Sequence, residues 1–156
     1  MLLYRIANRR YIDELKGEGA RLYGGRWNAA GLPVIYTSSH ISLAVLEIIA
    51  NTSLFHLPKH MQLLTLEVSN NATNEEFKQK NLPLDWKEFP SNTSTHLIGD
   101  RWLIEKRSLL LKVPSVIITT EHNWLINPLH TEMKKVKIKK IEDFPIDERV
   151  LQNLKQ

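Results

Sequence analysis

An arginine between two glycines and a tryptophan, in Gly24-Gly25-Arg26-Trp27-Asn28, is the stretch of this sequence best suited to chemistry. A guanidinium is planar and always charged, and it can grip a phosphate through two parallel hydrogen bonds. Glycines on its N-terminal side would let the main chain approach the same ligand. The bland alternative is a tight turn whose arginine is simply solvated. Glu47 is the second unusual residue. It stands between Leu46 and Ile48, in a segment whose Val45, Ile48 and Ile49 form an apolar stripe. A buried carboxylate is costly unless paired or hydrogen-bonded, and functional sites tolerate that cost more often than other places. Alternatively, Glu47 shares a narrow polar stripe with Asn51. Tyr36 stands shortly before this segment, either as a ring to stack on a flat ligand or as a core aromatic with its hydroxyl at the surface.

Other chemistries find little support. The glycines do not form a dinucleotide fingerprint between a strand and a helix, and no Gly-Lys-Ser/Thr completes a phosphate loop. There is no Gly-x-Ser-x-Gly elbow and no cysteine, so a conventional hydrolase triad is not expected. His56 and His60 are four apart, but Pro58 between them argues against one helical face, and no metal site is expected. Lys134, Lys135, Lys137, Lys139 and Lys140 crowd into one stretch. They could meet nucleic-acid phosphates, or they could line an edge strand where lysine deters unwanted pairing. The second reading is preferred, and no direct nucleic-acid binding is expected.

The elements that must position these residues can be read coarsely. Residues 1–6 form an opening strand, and residues 11–15 a brief helix or turn. Five of the six glycines fall between Gly17 and Gly31, which suggests a shaped loop region without regular structure. Pro33 to Thr37 is a buried strand. Ser38 and Ser39 follow as helix caps for a helix over 40–51. Residues 61–68 form a strand. Thr73-Asn74-Glu75-Glu76 matches a capping box and predicts a short helix. Residues 82–90 are irregular, and a helix runs over 94–107. Strands are expected over 109–113 and 115–120, a loop over 122–130, an edge strand through Val136, Ile138 and Ile141, and a closing helix over 147–154.

Strands and helices mix without a regular βαβ rhythm, so the expected class is α+β in a single domain over 1–156. With 42% hydrophobic and 24% charged residues, the chain has the composition of a soluble globular domain with one core. The absence of cysteine excludes disulfides and thiolate metal sites. No stretch approaches the roughly 18 apolar residues of a membrane span, and no secretory signal opens the chain, so a cytoplasmic protein is the default. Net charge is +4 with a pI near 9.3, compatible with an anionic small substrate, an acidic partner or nucleic acid.

Together these segments resemble a known family. Gly19-Ala20, Gly24 to Asn28, Gly31, Val34 to Ser38 and Ser42 to Glu47 come in order. Gly99-Asp100-Arg101-Trp102, Val113-Pro114-Ser115 and Asn123 to His130 follow. The ordered set resembles the RES domain, named for its arginine, glutamate and serine, over nearly the whole chain. The resemblance implies a fold similar to that of ADP-ribosyltransferases. It implies a toxin of a bacterial toxin–antitoxin pair that acts on NAD as substrate, with no prosthetic group, by degrading it or by transferring ADP-ribose to a protein. It implies a partner antitoxin with a helix-turn-helix DNA-binding part that blocks the active site. Carried over by position, the family arginine, tyrosine, glutamate and serine fall on Arg26, Tyr36, Glu47 and Ser115. A loop asparagine near the site falls on Asn127. On that reading Arg26 anchors pyrophosphate or a ribose hydroxyl. Tyr36 and Ser115 support the nicotinamide end, and Glu47 stabilises positive charge on the ribose. A protein ADP-ribosyltransferase, or a non-catalytic binding module, remains the alternative.

Overall fold

One seven-stranded sheet carries the molecule, in the order β4-β5-β6-β2-β1-β3-β7. The structure is a computed structural model, and it describes residues 1–51, 60–89, 93–147 and 149–150. The strands are β1 (Leu2–Asn8), β2 (Ile35–Ser38), β3 (Met61–Val68), β4 (Asn74–Glu76), β5 (Leu110–Pro114), β6 (His122–Ile126) and β7 (Val136–Asp143). The helices are α1 (Glu18–Tyr23), α2 (Ile41–Asn51) and α3 (Thr93–Glu105). Only β4 and β5 pair in parallel; the other neighbours are antiparallel. The α+β class expected from the sequence is the class observed. No described helix is long and apolar enough to cross a membrane.

Alternation along the strands divides the sheet into two faces. On one, Leu3, Ile35, Leu64, Leu66, Leu110 and Ile126 form a continuous core. On the other, two separate clusters stand side by side. Ala44, Val45 and Ile48 of α2 pack on Ile6, Met61 and Leu63. Trp102 and Leu103 of α3 pack with Trp27, Leu111, Val113 and Leu125. Gly99 lets α3 press onto the main chain before the third turn of the helix ends: a Cβ there would lie 1.7 Å from the Trp27 carbonyl oxygen.

Between the two clusters the sheet itself is loosely joined. β1 and β2 share a single register pair, Tyr4 with Ser38, whereas β1 pairs with β3 at seven positions from Leu2 to Asn8. Beyond Tyr4 and Ser38 the two central strands part, and a cleft opens there.

Several local expectations are corrected. The glycine-rich region contains a helix, α1, closed by the Gly24 amide donating to the Ala20 carbonyl. Thr73 does not cap a helix, and Asn74–Glu76 is a strand. The Thr73 hydroxyl donates to Glu132 and accepts from the Leu109 amide, which draws the following residues alongside β5. Ser115–Thr120 is not a strand, because the Ser115 hydroxyl accepts from the amides of Ile117 and Ile118 and turns the chain. That turn returns residues 122–126 as β6, where a loop was expected, in full register with β2 and β5. Ser38 and Ser39 do not cap α2: their hydroxyls donate to Asn123 Oδ1 and to the His122 carbonyl of β6. The opening strand, residues 61–68, the long helices and the edge strand agree with expectation. The closing helix over 147–154 and His56 fall largely or wholly outside the described residues.

Candidate active site

The cleft over the parting of β1 and β2 has a volume of about 500 Å³, and Arg26, Tyr36 and Glu47 all line it. That size is ordinary for a small-molecule site. Its floor is β1 and β2. Its walls are the Gly24–Trp27 turn on one side and α2 on the other.

The arginine wall is built from the main chain outward. Asn28 is fully buried and its amide donates to the carbonyls of Ala20, Ala29 and Leu32, which closes the loop after α1 on itself. Its Oδ1 accepts from the Tyr36 hydroxyl at 2.8 Å, and the Trp27 amide donates to the same hydroxyl at 3.0 Å. Gly25 makes this possible, because a Cβ there would lie 2.6 Å from the Tyr36 oxygen. Asp100 of α3 accepts from the Ala29 amide and ties the loop to the helix. Arg26 Nη1 then donates to the carbonyls of Trp86 and Glu88 at 2.8 and 3.0 Å. So the guanidinium is aimed by main-chain acceptors 60 and 62 positions away in sequence.

Electrostatics fix the charge states of this wall. Burial lowers the Arg26 pKa, and the nearby Glu47 charge and Tyr36 oppose that shift; an arginine remains a cation throughout. Burial pushes the Tyr36 phenol well above its ordinary value, only partly offset by the Trp27 amide. Tyr36 is therefore a neutral donor at any physiological pH.

The carboxylate wall is built from side chains. Glu47 is half-buried on α2, and its Oε1 accepts from the Ser115 hydroxyl at 2.9 Å and from the Asn123 amide. Asn51, one turn on, also faces the cleft, so the polar stripe shared by Glu47 and Asn51 exists and is turned to the cleft. The charge of Glu47 is felt at Arg26, yet among the described residues no ion pair joins them. Opposite charges held apart across a cleft leave room for a ligand between them.

Ser115 reaches the site through Glu47, from a position completely buried just beyond β5. Asn127 is placed elsewhere. It is buried, its amide donates to the Leu103 carbonyl and its oxygen accepts from the Leu129 amide, so it stitches α3 to the loop after β6 and does not line the cleft. Two residues were not singled out from sequence: Asn28, which organises the arginine loop, and Asn123, which holds Glu47. Both lie within the motifs of the family resemblance. Asn123 was hidden because its strand was read as a loop. Of the lysine stretch, Lys137, Lys139 and Lys140 lie on β7 at the sheet edge and Lys134 and Lys135 in the turn before it; Lys135, Lys139 and Lys140 pair with Glu132, Glu67 and Glu142. Among the described residues no three His, Asp or Glu side chains converge to hold a metal.

Comparison with known proteins places this geometry. The RES domain profile matches residues 2–147. The chain is 36% identical over 141 residues to a "Prs ADP-ribosylating toxin" of Sphingobium sp. (strain YBL2), covering 89% of this chain and 88% of that protein. It is 35% identical over 153 residues to a "Toxin Res" of Photorhabdus laumondii subsp. laumondii, covering 97% of each. Among solved structures it is similar to a chain in the crystal structure of the M. tuberculosis MbcT–MbcA toxin–antitoxin complex. That match has a TM-score of 0.74 at 22% identity, and covers 98% of this chain and 87% of the other.

Proposed function

This chain belongs to the RES domain family, and from that premise we propose that it is the toxin of a toxin–antitoxin pair and cleaves the nicotinamide–ribose bond of NAD. The observation that carries the reading is the cleft with Arg26 on one wall and Glu47 on the other, charged oppositely and not paired. An elongated substrate with an anionic middle and a cationic end fits such a dipole: pyrophosphate toward Arg26, nicotinamide ribose toward Glu47.

The chemistry follows from the bond. Nicotinamide in NAD is a pyridinium, so when the glycosidic C–N bond breaks its electron pair neutralises the ring, and the leaving group needs no proton. Positive charge develops on the ribose instead, as in glycoside hydrolysis. A preorganised carboxylate beside that carbon stabilises the developing charge without reorganising. Glu47 is that group. Arg26 binds the phosphates, and Tyr36, whose hydroxyl proton is committed to Asn28 Oδ1, lines the cleft and packs its ring against the nicotinamide end. Ser115 orients Glu47. Water or inorganic phosphate then attacks the ribose carbon and releases a proton, giving ADP-ribose or its phosphate. Consumption of NAD in the cytoplasm arrests growth, and an antitoxin with a helix-turn-helix DNA-binding part covers the cleft until it is removed.

A second reading, transfer of ADP-ribose to a protein side chain at the same site, is favoured by the name of the Sphingobium relative. One experiment separates the two. Purified protein is incubated with NAD, with and without inorganic phosphate, and the products are resolved by chromatography. Free nicotinamide with ADP-ribose or its phosphate supports NAD cleavage. Label from NAD appearing on protein supports transfer. NAD left intact in both arms overturns NAD cleavage; NAD left intact also after addition of a cell extract as a source of protein acceptors overturns transfer.

A further inference from the structure

Glu47 is held in an uneven way. Ser115 and Asn123 both donate to Oε1, and among the described residues no hydrogen bond reaches Oε2. Two donors fix the place of Oε1 and leave Oε2 for another partner, on a side chain that lines the cleft. The quality of that pinning depends on Asn123, and Asn123 is itself set. It sits on β6 between β2 and β5, its backbone in register with Ser38 on one side and Val113 on the other. The Ser38 hydroxyl donates to Asn123 Oδ1 at 2.7 Å. A carboxamide has one acceptor end and one donor end. With Oδ1 engaged by Ser38, the Nδ2 end faces Glu47, and a flipped amide would set its oxygen against the carboxylate and lose the Ser38 bond.

We propose that Asn123, locked by Ser38, is a positioning residue for Glu47, fixing Oε1 so that Oε2 is presented to the ribose of the substrate. The inference rests on the NAD-cleaving role proposed for Glu47. Ser38 lies at the one point where β1 and β2 still pair, so the relay begins where the cleft floor is most firmly joined.

The test compares Asn123→Ala, Ser38→Ala and Ser39→Ala in the purified protein. Nicotinamide release over a range of NAD concentrations and thermal unfolding are the readouts. Ser39 is the control for simple loosening. Its hydroxyl also joins the end of β2 to β6, bonding the His122 carbonyl and the Trp124 indole, and among the described residues it makes no hydrogen bond to Asn123's amide or to Glu47. Misplacing a catalytic group by a fraction of an ångström to an ångström costs about tenfold to a hundredfold in rate. Asn123→Ala is expected to lower kcat by about that factor with KM within about twofold. Ser38→Ala should lower kcat by a smaller factor, and Ser39→Ala should leave kcat unchanged. Wild-type kcat in folded Asn123→Ala, while Glu47→Gln is inactive, overturns the relay and leaves the proposed function standing. An equal fall in kcat for Ser39→Ala also overturns it, since loosening of the strand pair would then suffice. If the wild-type protein releases no nicotinamide from NAD, the proposed function fails and the relay fails with it.

Discussion

Two half-exposed glutamates in this molecule are built in opposite ways. Glu132, in the loop before β7, is engaged at both oxygens: Oε2 accepts from the Thr73 amide and hydroxyl at 2.9 and 2.7 Å, and Oε1 from the Lys135 ammonium. Those donors hold its carboxyl far below the ordinary range, at about 2. Among the described residues Glu47 takes its donors on one oxygen only, both neutral, and it forms no ion pair with Arg26, which lines the same cleft. The first arrangement completes a carboxylate and ties the chain at Thr73 to the loop before β7. The second leaves a carboxylate partly unanswered in a place where a ligand fits. The saturated carboxylate serves the fold, and the proposed function gives the incompletely satisfied one beside the cleft its role in chemistry.

Substitution separates the two. Glu47→Gln keeps an acceptor for Ser115 and Asn123 but removes the charge. Its expected effect is the largest: a loss of about a hundredfold to a thousandfold in NAD turnover, with the melting temperature close to wild type. Arg26→Ala should damage both properties, because its guanidinium holds the Trp86 and Glu88 carbonyls as well as facing the cleft. KM for NAD should rise about tenfold or more, and chemical denaturation should show a loss of about 1–3 kcal/mol. Arg26→Ala with unchanged stability would show that the carbonyl contacts contribute little.

Tyr36→Phe comes next. It leaves Asn28 Oδ1 and the Trp27 amide without their partner, which costs about 1–2 kcal/mol and loosens the loop that aims Arg26. Denaturant midpoints measure the first effect, and KM reports the second. The smallest effect on activity is expected for Glu132→Gln, which should be near wild type in turnover. Its signature is in acid. The Glu132 pKa in the folded protein lies below its ordinary value of 4.5, so its contribution to stability is fully present above that pH. It is lost as pH falls from about 4.5 toward 2. Glu132→Gln should therefore be less stable than wild type at neutral pH and converge on it in acid; melting curves at several pH values check this.

How much was legible in the sequence follows the range of the interactions involved. Arg26, Tyr36 and Glu47 stand within one local run, and both their oddity and their family match could be read there. The helices α2 and α3 were legible from periodicity, and β2, β3 and β7 from β-branched runs and from alternation with lysine. What failed was local chemistry with a distant partner. Thr73 reads as a cap until Glu132 and the Leu109 amide are seen to occupy its hydroxyl. Ser38 and Ser39 read as caps until β6 lies beside them. Asn123 and Asn28 carry no periodicity at all; their roles exist only once the loops and strands have closed around them. Asn127 was expected near the site by position in the family pattern, and its two bonds to Leu103 and Leu129 place it in the scaffold behind β6.

In the proposed function Glu47, across the cleft from Arg26, drives cleavage of the nicotinamide–ribose bond. The most direct measurement is nicotinamide released from NAD over time by wild-type protein and by Glu47→Gln at equal, folded concentrations. Steady release by the wild type is expected, with a rate lower by about a hundredfold or more for the variant. Equal rates from the two proteins, or no release from the wild type, would contradict that expectation.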